Sequence, residues 1–322
     1  MSQPEKEGLV LVTGATGRHG GTSAYVVRSL IDKGKAVRVL ARTRSERTEA
    51  LAALGAEIVL GDYNDQSSLL AAFDGVDTAT FTYPIADGII PAAASFAAAA
   101  RAQNKRPRIV VMSMAVSHSA SPSHLGRAQW LAEEVLMWSG LDVCILRVAA
   151  LFFENIVALH AHSVRENDSF GNSFADAPVP WISGLDAARL VLIAVLQPDV
   201  FSSPAVHYPP GAELRTHREI AALLSETLGR PIRFDALPQQ EWTASLVALA
   251  SRDQSGVVNP DMAKHISAVG AALASAKAPI RPPDAAELQS LTGEPPLSLH
   301  AFLANHRHAF EQLAFTQATR PA

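Results

Sequence analysis

The chain has 322 residues, 48% of them hydrophobic and 18% charged, enough apolar material for one large domain or for a ligand-binding domain with a smaller lobe. A net charge of −4 and an isoelectric point near 6.3 provide no basic stripe, which argues against nucleic acid as a direct ligand. The charged opening M-S-Q-P-E-K-E-G and the lack of any run of about 18 apolar residues predict a soluble, cytoplasmic protein with no membrane segment.

The first apolar run, Leu9 to Thr13, reads as a strand and leads into T-G-A-T-G-R-H-G, a G-x-x-G-x-x-G loop before a helix over Gly21 to Lys33. Glycines between a strand and a helix suit a phosphate: Gly14 permits the tight turn, Gly17 a close backbone approach, and Gly20 the packing of helix on strand. Thr16, Arg18 and His19 complete the loop as candidate cofactor contacts. Further strands are expected at Ala36 to Ala41, Glu57 to Leu60, Thr78 to Thr82, Arg108 to Met112 and Asp142 to Val148. Helices are expected at Gln66 to Phe73, Ile90 to Gln103 and Arg127 to Ser139. Alternation in this order predicts an α/β fold with a doubly wound parallel sheet. Cys144, the single cysteine, falls within the last apolar run and reads as a buried core thiol.

After Arg147 the rhythm breaks, which predicts one domain carrying the sheet over residues 1–150 and a smaller, mainly helical lobe over 151–322, with some chain returning to the sheet. In the lobe, helices are expected at Asp186 to Leu196 and Thr216 to Leu228, the second ended by Gly229, with a short strand at Ala205 to Tyr208. The stretch Val269 to Pro279 reads as a helix end or a mobile connection.

The second strand ends in Val39-Leu40-Ala41-Arg42-Thr43-Arg44. A carboxylate there would read the ribose of NAD, whereas the planar guanidinium of Arg42 suits the 2′-phosphate of NADP(H), with Arg18 reaching it from the loop. The bland alternative is that Arg42, Arg44 and Arg47 form a solvated charged face. Asp62 and Tyr63, after the third strand, stand where adenine should lie, although Asp62 and Asp65 equally suit helix capping. Thr82 and Tyr83, after the fourth, border the nicotinamide half.

Taken together, T-G-A-T-G-R-H-G, R-T-R after the second strand, G-D-Y-N-D-Q-S-S-L-L-A-A-F-D-G-V-D at Gly61 to Asp77 and A-E-E-V-L-M-W-S-G-L-D-V-C-I-L-R-V at Ala132 to Val148 match a family pattern. It continues through F-F-E-N at Phe152 to Asn155, R-E-I-A-A-L-L-S-E-T-L-G-R-P-I at Arg218 to Ile232 and L-T-G-E-P-P-L-S-L-H-A-F-L near the end. The chain resembles the NmrA-like group of atypical short-chain dehydrogenases. The resemblance implies a Rossmann domain, a C-terminal substrate lobe and a cleft between them. It leaves open a reductase of quinones, dyes or related small molecules and a regulator that binds the nucleotide without turning it over.

Short-chain dehydrogenases usually carry a Ser after strand five and a Tyr-x-x-x-Lys at the next helix. Ser113 fits the first place; aligned on Glu133, Gln129 takes the lysine position and Leu125 the tyrosine position. A leucine and an amide cannot do the proton chemistry of a phenol beside an ammonium. The expected activity is therefore NADPH-dependent reduction of an electron-poor, flat and apolar acceptor such as a quinone, dye or imine, with a nucleotide sensor that has a protein partner, or a cofactor-assisted isomerase or cyclase, as alternatives. Ser113, His118 and His124 are the candidate catalytic residues, with surface-loop histidines as the plainer reading of the last two. Phe152, Phe153, Asn155 and Trp181 are candidates to line the substrate pocket, or simply core residues. His160 and His162 project about 200° apart on a helix, as do His306 and His308, so no metal site is expected.

Overall fold

Leu9–Thr13 forms the central strand β1, and its neighbours arrange the rest of the molecule around it. The computed structural model describes residues 8–17, 21–252, 256, 258–277 and 281–312. In chain order the first half runs β1, α1 (Thr22–Asp32), β2 (Val37–Ala41), α2 (Glu46–Ala53), β3 (Glu57–Leu60), α3 (Gln66–Phe73), β4 (Val76–Phe81), α4 (Ile89–Arg101), β5 (Arg108–Met114), α5 (His124–Trp138) and β6 (Val143–Val148). The second half continues with β7 (Leu151–Phe152), α6 (Glu154–Asn167), β8 (Ser169–Asn172), β9 (Val179–Ile182), α7 (Gly184–Leu196), β10 (Val206–His207), β11 (Glu213–Arg215), α8 (His217–Leu228) and β12 (Arg233–Ala236). It closes with α9 (Gln239–Arg252), α10 (Pro260–Ala274), α11 (Ala285–Thr292) and α12 (Leu299–Asn305).

Among the described residues, seven strands form one parallel sheet in the order β10-β6-β5-β4-β1-β2-β3. This is a Rossmann-like sheet. Its central strands are buried on both faces, so parts of them read as unbroken apolar runs, as at Val10 to Val12 and Val143 to Leu146. Residues of α1 and α7 share one core cluster with β1, β2 and β6, whereas α3, α4 and α5 share another with β4 and β5. The strand order reverses between β1 and β4, which opens a crevice at the carboxyl edge of the sheet.

Two segments beyond residue 150 return to this sheet: β10 pairs in parallel with β6, and α7 packs on α1. A separate core gathers residues of α6, α8, α9, α10 and α12, including Phe153, Trp181, Trp242 and Phe302.

The structure departs from the expected elements at α2 and at the start of α5. Helix α2 begins with a capping box in which the Ser45 hydroxyl accepts the Thr48 N–H and the Thr48 hydroxyl accepts the Ser45 N–H. It buries only Thr48 and Leu51, so it leaves a thin periodic trace in the sequence. Helix α5 begins three residues before Arg127, because the Ser123 hydroxyl caps it by accepting the Gly126 N–H. Helix α10 carries the chain through Val269 to Ala274 as regular helix.

Candidate active site

The carboxyl edge of the sheet opens into a cleft of about 730 Å³ shared by the ends of β1, β2, β4, β5 and β6 and by α10. At its β1 end the chain turns sharply, with the Gly17 N–H donating to Gly14 O at 3.0 Å. Gly14 has φ +72°, and a Cβ on Gly17 would meet Gly14 O at 2.9 Å, so neither position accepts an ordinary side chain without movement. Thr16, Gly17, Thr22 and Ser23 all line the cleft. The cap of α1 is Gly21, which offers no side-chain acceptor to the first helical amides. Arg18, His19 and Gly20 lie outside the described residues.

The three arginines after β2 have separate tasks. Arg44 pairs with Glu49 at 3.0 Å. Arg47 donates to the carbonyls of Thr16 and Gly17 at 3.0 and 3.1 Å, tying the N-terminal end of α2 to the glycine loop. Arg42 lines the cleft, and among the described residues no carboxylate pairs with it. All three are exposed.

Asp62 and Tyr63 also line the cleft. The Asp62 carboxylate accepts the Asn64 backbone N–H at 2.8 Å, an Asx turn that holds the loop, while Asp65 caps α3. Tyr63 packs against Phe81 and Tyr83 and donates to Thr82 O at 3.3 Å; burial raises its phenol above the usual range. Thr82 and Tyr83 line the next part of the cleft, with the Tyr83 hydroxyl donating to Asp87 O at 3.1 Å.

Ser113 is inside β5 and faces the cleft, but its hydroxyl donates to the Glu133 carboxylate. Glu133 is fully buried and also accepts from Ser117 at 2.7 Å and from Arg147 Nε and Nη2 at 2.9 and 2.5 Å. All four partners are donors, the environment of an ionised carboxylate. Burial pushes its pKa up, while Arg147 and the two serines draw it back. Ser113 thus lines the cleft while its hydroxyl is hydrogen-bonded to Glu133.

The two candidate catalytic histidines lie outside the cleft lining. His124 sits on the exposed first turn of α5, 3.7 Å from Asp87, and His118 lies in the preceding loop; neither lines the cleft. Gln129 does line it, from a buried position on α5, whereas Leu125 is buried away from it.

Of the expected pocket residues, Phe152 and Asn155 line the cleft, and Asn155 Oδ1 is buried with no hydrogen-bond partner among the described residues. Phe153 and Trp181 are buried in the lobe core, the plainer of their two readings. Phe153 packs against Phe302, and the Trp181 indole donates to Arg215 O at 3.1 Å. His160 is buried and His162 exposed on opposite sides of α6.

The lobe contributes what the sequence did not reveal. Met262, His265, Ile266, Val269 and Leu273 of α10 line the cleft, and His265 Nδ1 lies 2.6 Å from Ser123 Oγ. Burial pushes the His265 pKa down to about 4, so the ring is neutral at physiological pH. Arg281 also lines the cleft and pairs with Glu287 at 2.5 Å. The signal for α10 was its apolar spacing, Met262, Ile266, Val269 and Leu273, with His265 set in the same stripe.

The NmrA-like family model matches residues 6–268. The chain belongs to the NmrA-like family. It is 31% identical over 302 residues to a (4-alkanoyl-5-oxo-2,5-dihydrofuran-3-yl)methyl phosphate reductase of Streptomyces griseus, covering 94% of this chain and 99% of that protein. Among solved structures, an NADPH-dependent quinone oxidoreductase of Escherichia coli complexed with NADPH superposes with a TM-score of 0.75 at 21% identity, covering 93% of this chain and 99% of that one. A triphenylmethane reductase of Citrobacter sp. complexed with NADP(H) gives 0.74 at 22% identity, covering 92% and 99%. These two likenesses show the shared fold. Within it, this member of the family places Leu125 and Gln129 where short-chain dehydrogenases usually carry tyrosine and lysine.

Proposed function

We propose that this chain is an NADPH-dependent reductase of small, conjugated, electron-poor acceptors. One observation carries the reading: a single cleft joins a phosphate-suited loop and Arg42 to an apolar wall, and among the described residues no lysine lines it to pair with a phenol. The residues present fit the cofactor. The Gly14–Gly17 turn excludes side chains where a pyrophosphate needs backbone, the uncapped start of α1 offers amides to an anion, and Arg42 is free among the described residues to meet a 2′-phosphate.

The bound dihydronicotinamide would supply a hydride. Gly14, Gly17, Arg42, Asp62 and Tyr63 would hold the nucleotide along the sheet edge, with Thr82, Tyr83 and Gln129 beside its reactive half. Phe152, Met262, Ile266 and Val269 would exclude water and press a flat acceptor into the cleft. An alcohol dehydrogenase needs a strong acid–base pair here; an acceptor that is already electron-poor does not. The reductase names of the relatives support this reading.

The test is loss of nicotinamide absorbance when the protein is given NADPH with neutral quinones, azo compounds, imines and cationic triarylmethane dyes. Turnover with at least one acceptor is expected. Saturable NADPH binding with no oxidation across the panel would overturn the proposal in favour of a nucleotide sensor.

A further inference from the structure

His265 occupies an unusual place, a polar ring within the apolar stripe that α10 presents to the cleft. Its tautomer follows from hydrogen-bond accounting. Ser123 is 2% exposed, and its oxygen already accepts the Gly126 N–H at 3.3 Å. Among the described residues, its hydroxyl proton has one available acceptor, His265 Nδ1 at 2.6 Å. A buried hydroxyl proton left without an acceptor is costly, so the proton is directed to Nδ1. The imidazole then carries its own hydrogen on Nε2, the nitrogen not bonded to Ser123, and His265 lines the cleft.

We propose that His265, as a neutral imidazole with its hydrogen on Nε2, donates the hydrogen bond that stabilises the negative charge developing on a neutral acceptor's oxygen or nitrogen. This rests on the reductase reading above. Among the described residues, Ser113 gives its proton to Glu133, Tyr83 gives its own to Asp87 O, and His118 and His124 do not line the cleft, whereas the amide of Asn155 does. Gln129 does line it, at the position where the family resemblance places a lysine facing the cofactor.

The chemistry separates two kinds of acceptor. Addition of hydride to a quinone or azo compound forms one new bond to hydrogen and reduces the acceptor by two electrons, leaving an anion on its conjugated heteroatom. His265 holds that anion, and water supplies the proton that completes the product. The ring does not surrender its own hydrogen, because that would leave an imidazolate or require a serine alkoxide. Addition of hydride to a triarylmethane carbocation gives a neutral product at once. That reaction forms no anion and needs no proton.

Two variants, His265→Phe and His265→Gln, should be compared with the wild type on a neutral quinone and on a cationic triarylmethane dye, with NADPH affinity followed by fluorescence. Loss of an anion-stabilising donor typically costs about 10²-fold or more. His265→Phe should therefore lower kcat/KM for the quinone by about 10²-fold, while the dye and NADPH affinity stay within about threefold. His265→Gln, which keeps an N–H, should recover about tenfold of the quinone rate. Ser123→Ala leaves the ring in place and frees its tautomer; it should cost the quinone about tenfold, the worth of one hydrogen bond, and spare the dye. Equal losses on both acceptors, or a quinone rate in His265→Phe within about threefold of wild type, would overturn the role of His265 alone. A wild-type protein that oxidises NADPH with neither acceptor overturns the reductase reading and this role with it.

Discussion

The sheet and the helical lobe bury polar groups in opposite ways. Beneath β5 and β6 the chain buries a charge with its counter-charge: Glu133 receives Arg147, Ser113 and Ser117, and Arg147 also donates to the Tyr208 hydroxyl at 2.5 Å. The lobe buries imidazoles without carboxylates. His160 stacks on Phe170 and Trp242, His217 lies against Phe174 and Phe234, and His265 bonds to Ser123. A satisfied ion pair keeps its charge over a wide pH range, whereas a buried neutral imidazole becomes a liability once it binds a proton. The two regions should therefore fail under different conditions.

Acid provides the largest contrast. Burial pushes His160 down to about 3 and His265 to about 4, and holds His217 well below the usual range. A depressed folded-state pKa gives stability that is fully present above the unfolded value near 6.5 and is lost as pH falls through the folded one. At pH 5 His160 and His265 should each cost about 2 kcal/mol relative to neutral pH, so the two together cost about 4 kcal/mol, and His217 acts in the same direction. Denaturant unfolding at pH 7 and pH 5, followed through Trp181 and Trp242 in the lobe core, measures this. Equal stability at the two pH values would remove the contrast. In His217→Phe the pH slope should fall by about one proton.

The sheet should be sensitive to loss of charge instead. Glu133→Ala leaves Arg147, whose side chain is 10% exposed, without its carboxylate, and breaking one partner of a buried pair costs about 3–5 kcal/mol. Chemical denaturation near pH 7 should show it. A loss below about 1 kcal/mol would mean that water reaches Arg147 and that this cluster is less dry than it looks.

How much of each region could be read from the sequence follows the same division. Strands β1, β5 and β6 were legible because burial on both faces makes each a largely apolar run, and Gly14, Gly17 and Arg42 were legible because chain order fixes them at strand ends. Helix α2 was not, since its signal lay in the Ser45–Thr48 capping box rather than in an apolar stripe. The lobe wall was harder for a different reason. Met262, Ile266 and Val269 have the spacing of any core helix, and nothing local says that α10 also faces the cleft beside Ser123. Phe153 and Trp181 failed in the opposite direction: their partners Phe302 and Arg215 lie 149 and 34 residues away, and those contacts turn both side chains into the core.

The division can be sharpened at the cleft, where the sheet edge should act by charge and the lobe by shape. Arg42→Ala should weaken NADPH binding by about 10–100-fold, the worth of hydrogen bonds to a charged group, and leave NADH within about twofold. Leu273→Ala trims the apolar wall; it should raise KM for the acceptor by about threefold and leave NADPH affinity unchanged. Titrations of both nucleotides against both variants separate the two effects. An Arg42→Ala protein that still prefers NADPH would move recognition of the 2′-phosphate elsewhere.

The smallest effect lies at the seam between the regions. Glu154, in the first turn of α6, accepts the Gly184 N–H at the start of α7 with both carboxylate oxygens at 3.0 Å, joining a lobe helix to one packed on the sheet. Burial raises its pKa to about 7, against the pull of the backbone amides. A raised folded-state pKa has the reverse sign from the histidines: its contribution is complete below about 4.5 and is lost as pH rises through 7. Between pH 5 and pH 7 Glu154 therefore offsets part of the stability that the imidazoles gain. Glu154→Gln keeps an acceptor for Gly184 and removes the titration, so the rise in stability from pH 5 to pH 7 should become steeper. Because Glu154 is only partly buried, the change should stay below the limit of about 1.4 kcal/mol per pH unit set by one proton. An unchanged slope would mean that Glu154 is solvated in the folded protein and that the seam depends on α6 and α7 packing alone.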